Sequence, residues 1–269
     1  MSRTPDGRRL TDAYRRGANA RAEVIRRRVN RHFGWYMRPD DIDYGRSQFI
    51  ARATGDVLAG AEAERAMTGR YLARQAAAEG HRGIEVVSPT LATADVAETL
   101  TVHGPVAYKT AKLRGLDDAT AYAYARTRVS MAARGLIMDA GRGMVTMTAR
   151  ANGARWRRVT DGTPCAFCAM LAGRGPVYAE DTVDFEAHSQ CGCTAEECWE
   201  TPDEWVAEYA TEREVAWINA YFDAAEEASD AGQPRVAPVR KAGRSRDTVL
   251  ARMRRMHPDL FHDGVYPRD

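Results

Sequence analysis

The chain has 269 residues, 44% of them hydrophobic, enough for a substantial core in one large or two small domains. No apolar run approaches the roughly 20 residues that span a bilayer, and the Arg-rich start lacks the apolar stretch of a secretory signal, so a cytosolic folding compartment and no membrane contact are expected. The net charge of +2 is unevenly spread: residues 1–38 carry eleven Arg against three acids, residues 180–230 sixteen acids against one base, and residues 234–256 eight bases against one acid.

The elements read mainly as helices. The first carries Leu10, Tyr14, Val24, Ile25, Val29 and Phe33 as an apolar stripe among arginines, with Gly34 and Pro39 bracketing its end. An Ala-rich helix follows from about Asp56 to Gly80. Ile84 to Val87 is β-branched and stops at Ser88-Pro89, which fits a strand or a merely extended segment. Asp95 to His103 reads as a helix stopping near Gly104-Pro105. The clearest helix starts after Asp117 or Asp118, both suited to cap it. It puts Ala121, Ala125, Val129, Ala132 and Leu136 on one face. Gly141 and Gly143 read as a bend, since no strand and no third glycine completes a nucleotide fingerprint. From Trp156 to Trp199 turn residues, aromatics and all the cysteines gather. A helix is expected from Glu204 to about Ala228, then a basic linker from Gln233 to Arg246 and a short basic helix from Thr248 to Met256.

The predicted fold class is therefore mainly α: a helical body with a small Cys/His-knotted module of short strands and loops. The expected divisions are a basic N-terminal helical arm (1–45), an Ala-rich helical body (46–155), the Cys/His module (156–200), an acidic helix (201–232) and a basic C-terminal arm (233–269). Blocks of opposite charge mark interaction surfaces, or arms paired to the acidic block within the chain. The arginines offer a weak, non-specific contact to phosphates.

Five cysteines fall within 34 consecutive residues: Cys165, Cys168, Cys191, Cys193 and Cys198. Cys165 and Cys168 form a C-x-x-C pair, and His188 precedes Cys191 in an H-x-x-C-x-C run. One pair supplies one edge of a tetrahedron and the second run the other, which suits zinc. Cys165, Cys168, His188 and Cys191 are the best ligand set, with Cys193 competing for the fourth place. Disulfides and free thiols stay open as alternatives. Cys198 has no place in the tetrad and reads as a partly buried thiol near Trp199. Pro164-Cys165-Ala166-Phe167-Cys168 matches half of a zinc deaminase signature, but neither His81 nor His103 is followed by the required Glu. A Cys168–His188 nucleophilic dyad remains a spacing-level option.

The run WRRVTDGTPCAFCAMLAGRGPVY, followed by FEAHSQCGC, resembles the C-terminal motif of bacteriophage Mu F-like minor capsid or head-morphogenesis proteins, especially the actinobacteriophage branch. The matching positions are Trp156, Asp161, Cys165, Cys168, Gly173, His188, Cys191 and Cys193. The resemblance covers roughly residues 90–200 and is specific over 156–193. Ser189 departs from the Pro that the family usually has after the His. The resemblance implies a structural, non-enzymatic virion protein in the capsid interior, present in the host cytoplasm during assembly. Its implied partners are the portal protein and capsid proteins, with packaged DNA a weak contact of the basic arms. Some relatives carry a fused maturation protease or toxin domain, and neither signature is seen here. The competing readings are a zinc-dependent nucleic-acid-binding protein with basic arms and a cysteine-dependent hydrolase.

Overall fold

The computed structural model describes residues 3–160, 162–178, 185, 187, 190–230 and 248–264. The chain is mainly α, as expected, with one two-stranded antiparallel sheet beside the cysteines. None of the described helices is long and apolar enough to cross a membrane.

Three long helices make the body: α1 (Pro5–Tyr36), α2 (Arg46–Ala78) and α5 (Asp118–Ala151). Thr4 caps α1 by accepting from the Gly7 N–H, and Pro5 occupies the first turn, where no N–H is needed. Thr11, Tyr14, Ala18, Ala22, Ile25, Val29 and Phe33 then recur every three or four residues and are all buried. α1, the helix of the basic segment, thus contributes a full layer to the core, with most of its arginines on the outer side and Arg21 turned in to buried Glu64 at 2.6 Å. Asp117 is the residue that caps α5, accepting from the Thr120 N–H at 2.9 Å. Ala121, Ala125 and Val129 are buried as expected, but the stripe continues through Ala133 and Ile137.

Several boundaries differ from the sequence expectation. The helix begun by α3 (Thr93–Thr101) does not stop at Gly104-Pro105. It passes through a π turn, Val102–Val106, into α4 (Ala107–Leu113). The wider turn absorbs the proline that an α-helical turn would reject. Gly141 does not bend α5 either. A Cβ there would lie 2.5 Å from Tyr14 Oη and 2.8 Å from Glu64 Oε1, so the glycine serves close approach of three helices. Ile84 to Val87 is extended without a strand partner. Its backbone bonds to side chains of α5: Val87 N–H to Thr148 Oγ1 at 3.0 Å, and Glu85 N–H to Asn152 Oδ1 at 2.9 Å.

After α5 the chain forms β1 (Arg155–Val159), α6 (Ala166–Gly173) and β2 (Thr194–Cys198). The strands pair with Arg155 opposite Cys198 and Val159 opposite Thr194. The expected single acidic helix is two, α7 (Pro202–Glu208) and α8 (Glu212–Asp230). Thr201 and Glu204 form a capping box at α7. Thr211 and Glu214 repeat the device, since each side chain accepts from the other's N–H, and this restarts the helix. α9 (Val249–Met256) matches the predicted basic helix, capped by Thr248. Ala166, Ala169, Ala172, Trp217, Ala220, Ala224, Met253 and Phe261 form a second apolar cluster joining α6, α8 and α9. The basic linker, Gln233 to Arg246, lies outside the described residues.

Candidate metal centre

The cysteines sit where the helical body meets the α6–α8–α9 unit. Cys165 is the N-cap of α6, and its sulfur faces the Cys168 N–H at 3.5 Å. The C-x-x-C spacing therefore places both thiols at the N-terminal end of one helix. At the other end of α6, a Cβ on Gly173 would lie 3.0 Å from the Ile218 nitrogen and 3.1 Å from the Glu214 carbonyl oxygen, so glycine there lets α6 pack closely against α8.

Cys191 and Cys193 arrive on the chain leading into β2, and arginines of α5 hold that chain. Arg142, only 3% exposed, donates to the Cys193 carbonyl through Nε at 3.0 Å and Nη2 at 2.8 Å, and Nη2 also reaches the Cys191 carbonyl at 2.8 Å. Arg134 Nη1 donates to the same Cys191 carbonyl at 3.1 Å. Each guanidinium thus satisfies backbone carbonyls that no ladder reaches.

The sulfurs of Cys168, Cys191 and Cys193 all lie within 4.8 Å of one another, and all three residues are buried. The Cys168–Cys191 separation is 3.6 Å. A tetrahedral ion with metal–sulfur bonds of about 2.3 Å holds its sulfurs ~3.8 Å apart. The donor chemistry and the spacing fit a thiophilic metal ion. Cys165 adjoins the three in the same buried cluster. Cys191 and Cys193 do not compete for one place, because both sulfurs face Cys168. His188 and Asp161 lie outside the described residues. Cys198 is buried at the end of β2, away from the group, with its sulfur 3.8 Å from the Glu196 carbonyl oxygen.

A cation stands beside the sulfurs. Arg158 Nη1 is 3.6 Å from both Cys168 Sγ and Cys191 Sγ, and its guanidinium lies over the Phe185 ring at 3.9 Å. The hydrogen bonds from Cys168 and Cys193, together with the charges of Arg142 and Arg158, hold the Cys191 thiol well below its usual range. Hydrogen bonds with Cys165, Cys191 and Cys193, and then burial, push Cys168 up. For Cys193 the bond with Cys168 pulls down, but the bond with Cys191, burial and the Cys191 charge outweigh it and raise the thiol to about 12. A bound cation would draw the thiol protons off.

The C-terminal segment closes the far side, which sequence reading missed. Asp263 Oδ1 accepts from the Ala166 N–H at 2.9 Å, and its Oδ2 pairs with Arg254 Nε at 2.6 Å. His262 donates its backbone N–H to the Pro164 carbonyl at 3.2 Å, and its Nδ1 lies 3.0 Å from the Thr163 carbonyl oxygen. Between this latch and the thiols is a cavity of about 610 Å³. Contacts across about a hundred residues leave no local pattern to detect. Arg142 did leave one: a charged residue on the buried side of α5.

The opposite face of the sheet is polar and sealed. Arg157, 2% exposed, bridges Glu196 at 2.5 Å and Glu214 at 2.8 Å. Burial disfavours its charge, but the two carboxylates outweigh that and raise its pKa. Glu196 accepts in turn from Thr11 on α1 at 2.7 Å, so the sheet is tied to the first helix.

The family model described as VG15 protein matches residues 79–220, more than half the chain and all five cysteines. No curated protein and no solved structure matches the chain.

Proposed function

The chain belongs to the VG15 protein family, and from the resemblance of its cysteine module to phage head-morphogenesis proteins we propose that it is a structural minor capsid protein of a tailed bacteriophage, acting in head morphogenesis near the portal. The resemblance to Mu F-like proteins, especially their actinobacteriophage branch, rests on Trp156, Asp161, Cys165, Cys168, Gly173, His188, Cys191 and Cys193 standing in that family's order. In this reading the protein works by contact and not by catalysis, in the capsid interior, after assembly in the host cytoplasm.

The observation that carries the reading is the enclosure of the cysteines. Cys168 is 1% exposed and Cys191 3%, and Arg142 from the longest helix grips the loop that bears Cys191 and Cys193. Thiols held this way suit a staple between two helical units. We assign the ion to zinc, bound by Cys168, Cys191 and Cys193 with Cys165 or His188 completing the set. Zinc there supplies folding energy to a loop-rich segment. Arg158 offsets the surplus negative charge of the thiolates.

Quantitative mass spectrometry of sucrose-banded particles tests the function. The protein should copurify with portal-containing procapsids at far fewer copies than the major capsid protein, and should fall away when the portal gene is deleted. Its absence from particles at every stage would end the virion reading. Presence undiminished without the portal would remove only the portal placement.

A further inference from the structure

The exposed side of α1 carries arginines and one large indole. Arg27, Arg31 and Trp35 follow one another at i, i+4 spacing as an exposed ridge, with Arg16 farther along the same helix and Arg28 beside them at Asp56 of α2. From Arg16 to Trp35 is about 28 Å along the axis. The carboxylates on or beside this ridge are engaged. Asp12 pairs with Arg15 and Arg16, Glu23 with Arg26 and Arg27, and Asp56 with Arg28 and His32. Among the described residues no carboxylate pairs with Arg31. Its guanidinium lies 5.7 Å from the centre of the Trp35 ring.

Trp35 is 66% exposed, a large indole left in water beside a row of cations. With Arg28, Arg31, His32 and Asp56 it lines a shallow cavity of about 190 Å³. The indole supports neither the core nor the cysteine site.

We propose that this ridge binds a single strand of nucleic acid, with the arginines on successive phosphates and a base stacked on Trp35. The partner follows from the combination. Guanidinium groups in a row meet any polyanion, but an exposed indole within that row adds a face on which every base can stack. An acidic protein surface would use the charge and leave the indole idle. The i, i+4 step along the ridge is about 6 Å, short enough for one extended strand to meet several arginines. This inference does not depend on the capsid reading, since the ridge lies outside the cysteine module.

The test is fluorescence anisotropy of a labelled oligothymidylate with the full chain across a salt series, with a poly-glutamate peptide as rival ligand. Trp35→Ala should weaken strand binding roughly tenfold and leave the salt slope as it was, because stacking carries no charge. Arg27→Ala with Arg31→Ala should flatten the slope of log K against log salt by about 1.4, the share of two phosphates. All three side chains are exposed, so far-ultraviolet circular dichroism should match the parent chain. Strand binding unchanged by either variant would overturn the proposal. Tighter binding of poly-glutamate than of oligothymidylate would overturn it too and assign the ridge to a protein.

Discussion

Arg142 holds Cys193 through its main chain: Nε and Nη2 both donate to the one carbonyl oxygen, at 3.0 and 2.8 Å. The longest helix thereby fixes where a cysteine sulfur stands without touching the sulfur. Arg142 lies 3% exposed, and its Nη1 reaches Asp139 at 2.7 Å.

Arg142→Met should therefore strip the Cys193 carbonyl of both its arginine donors and leave the Cys191 carbonyl to Arg134 alone, with the helix intact. We expect a loss of about 2–4 kcal/mol from buried acceptors left unsatisfied. Metal affinity should fall as well, because the loop carrying Cys191 and Cys193 loses its anchor. Arg142→Lys should rescue little, since an ammonium cannot span both carbonyls as a fork does. Thermal unfolding of metal-loaded protein checks this. A melting temperature equal to that of the parent chain would show that the grip on Cys193 carries no stability.

Glu197 gives a pH prediction. It lies on β2 opposite Trp156, is 1% exposed, and neither carboxylate oxygen has a hydrogen-bond partner among the described residues. Burial raises its pKa from the ordinary 4.5 to about 7. The unfolded chain gives up this proton near pH 4.5 and the folded chain near pH 7. Between those values the folded state binds more protons, so stability falls as pH rises and levels off above about 7. The loss amounts to about 3 kcal/mol. Glu197→Gln should match the parent chain in acid and exceed it by that order at pH 8. Metal release in acid affects both proteins alike and cancels in the difference. Urea unfolding of the pair at several pH values measures it, and a difference constant with pH would contradict the account.

The sequence was most informative where one periodicity or one motif sufficed. Tyr14, Ile25, Val29 and Phe33 of the α1 stripe and the cap at Asp117 needed only local spacing and local chemistry, whereas Val24 of the expected stripe is 41% exposed. The C-x-x-C pair and the C-x-C pair announced a shared site, and Cys168, Cys191 and Cys193 do meet. Residues whose role depends on a distant partner were misread or missed. Gly141 looked like a bend because its reason, the approach of Tyr14 and Glu64, lies on two other helices. Pro105 looked like a stop because the π turn that accommodates it has no sequence signature of its own. Asp263 and Arg254 gave no hint of closing a site formed by residues near position 165, because only the fold brings them there. The T-x-x-E pattern at Thr211 and Glu214 is a local signal, and it divides the acidic helix.

The most direct test of the central claim is the zinc content of protein purified without chelator, read together with its thiol reactivity. The account predicts about one zinc per chain, with the clustered cysteines silent to thiol reagents until a chelator is added. Zinc well below one per chain, with all five cysteines titrating freely from the start, would contradict it.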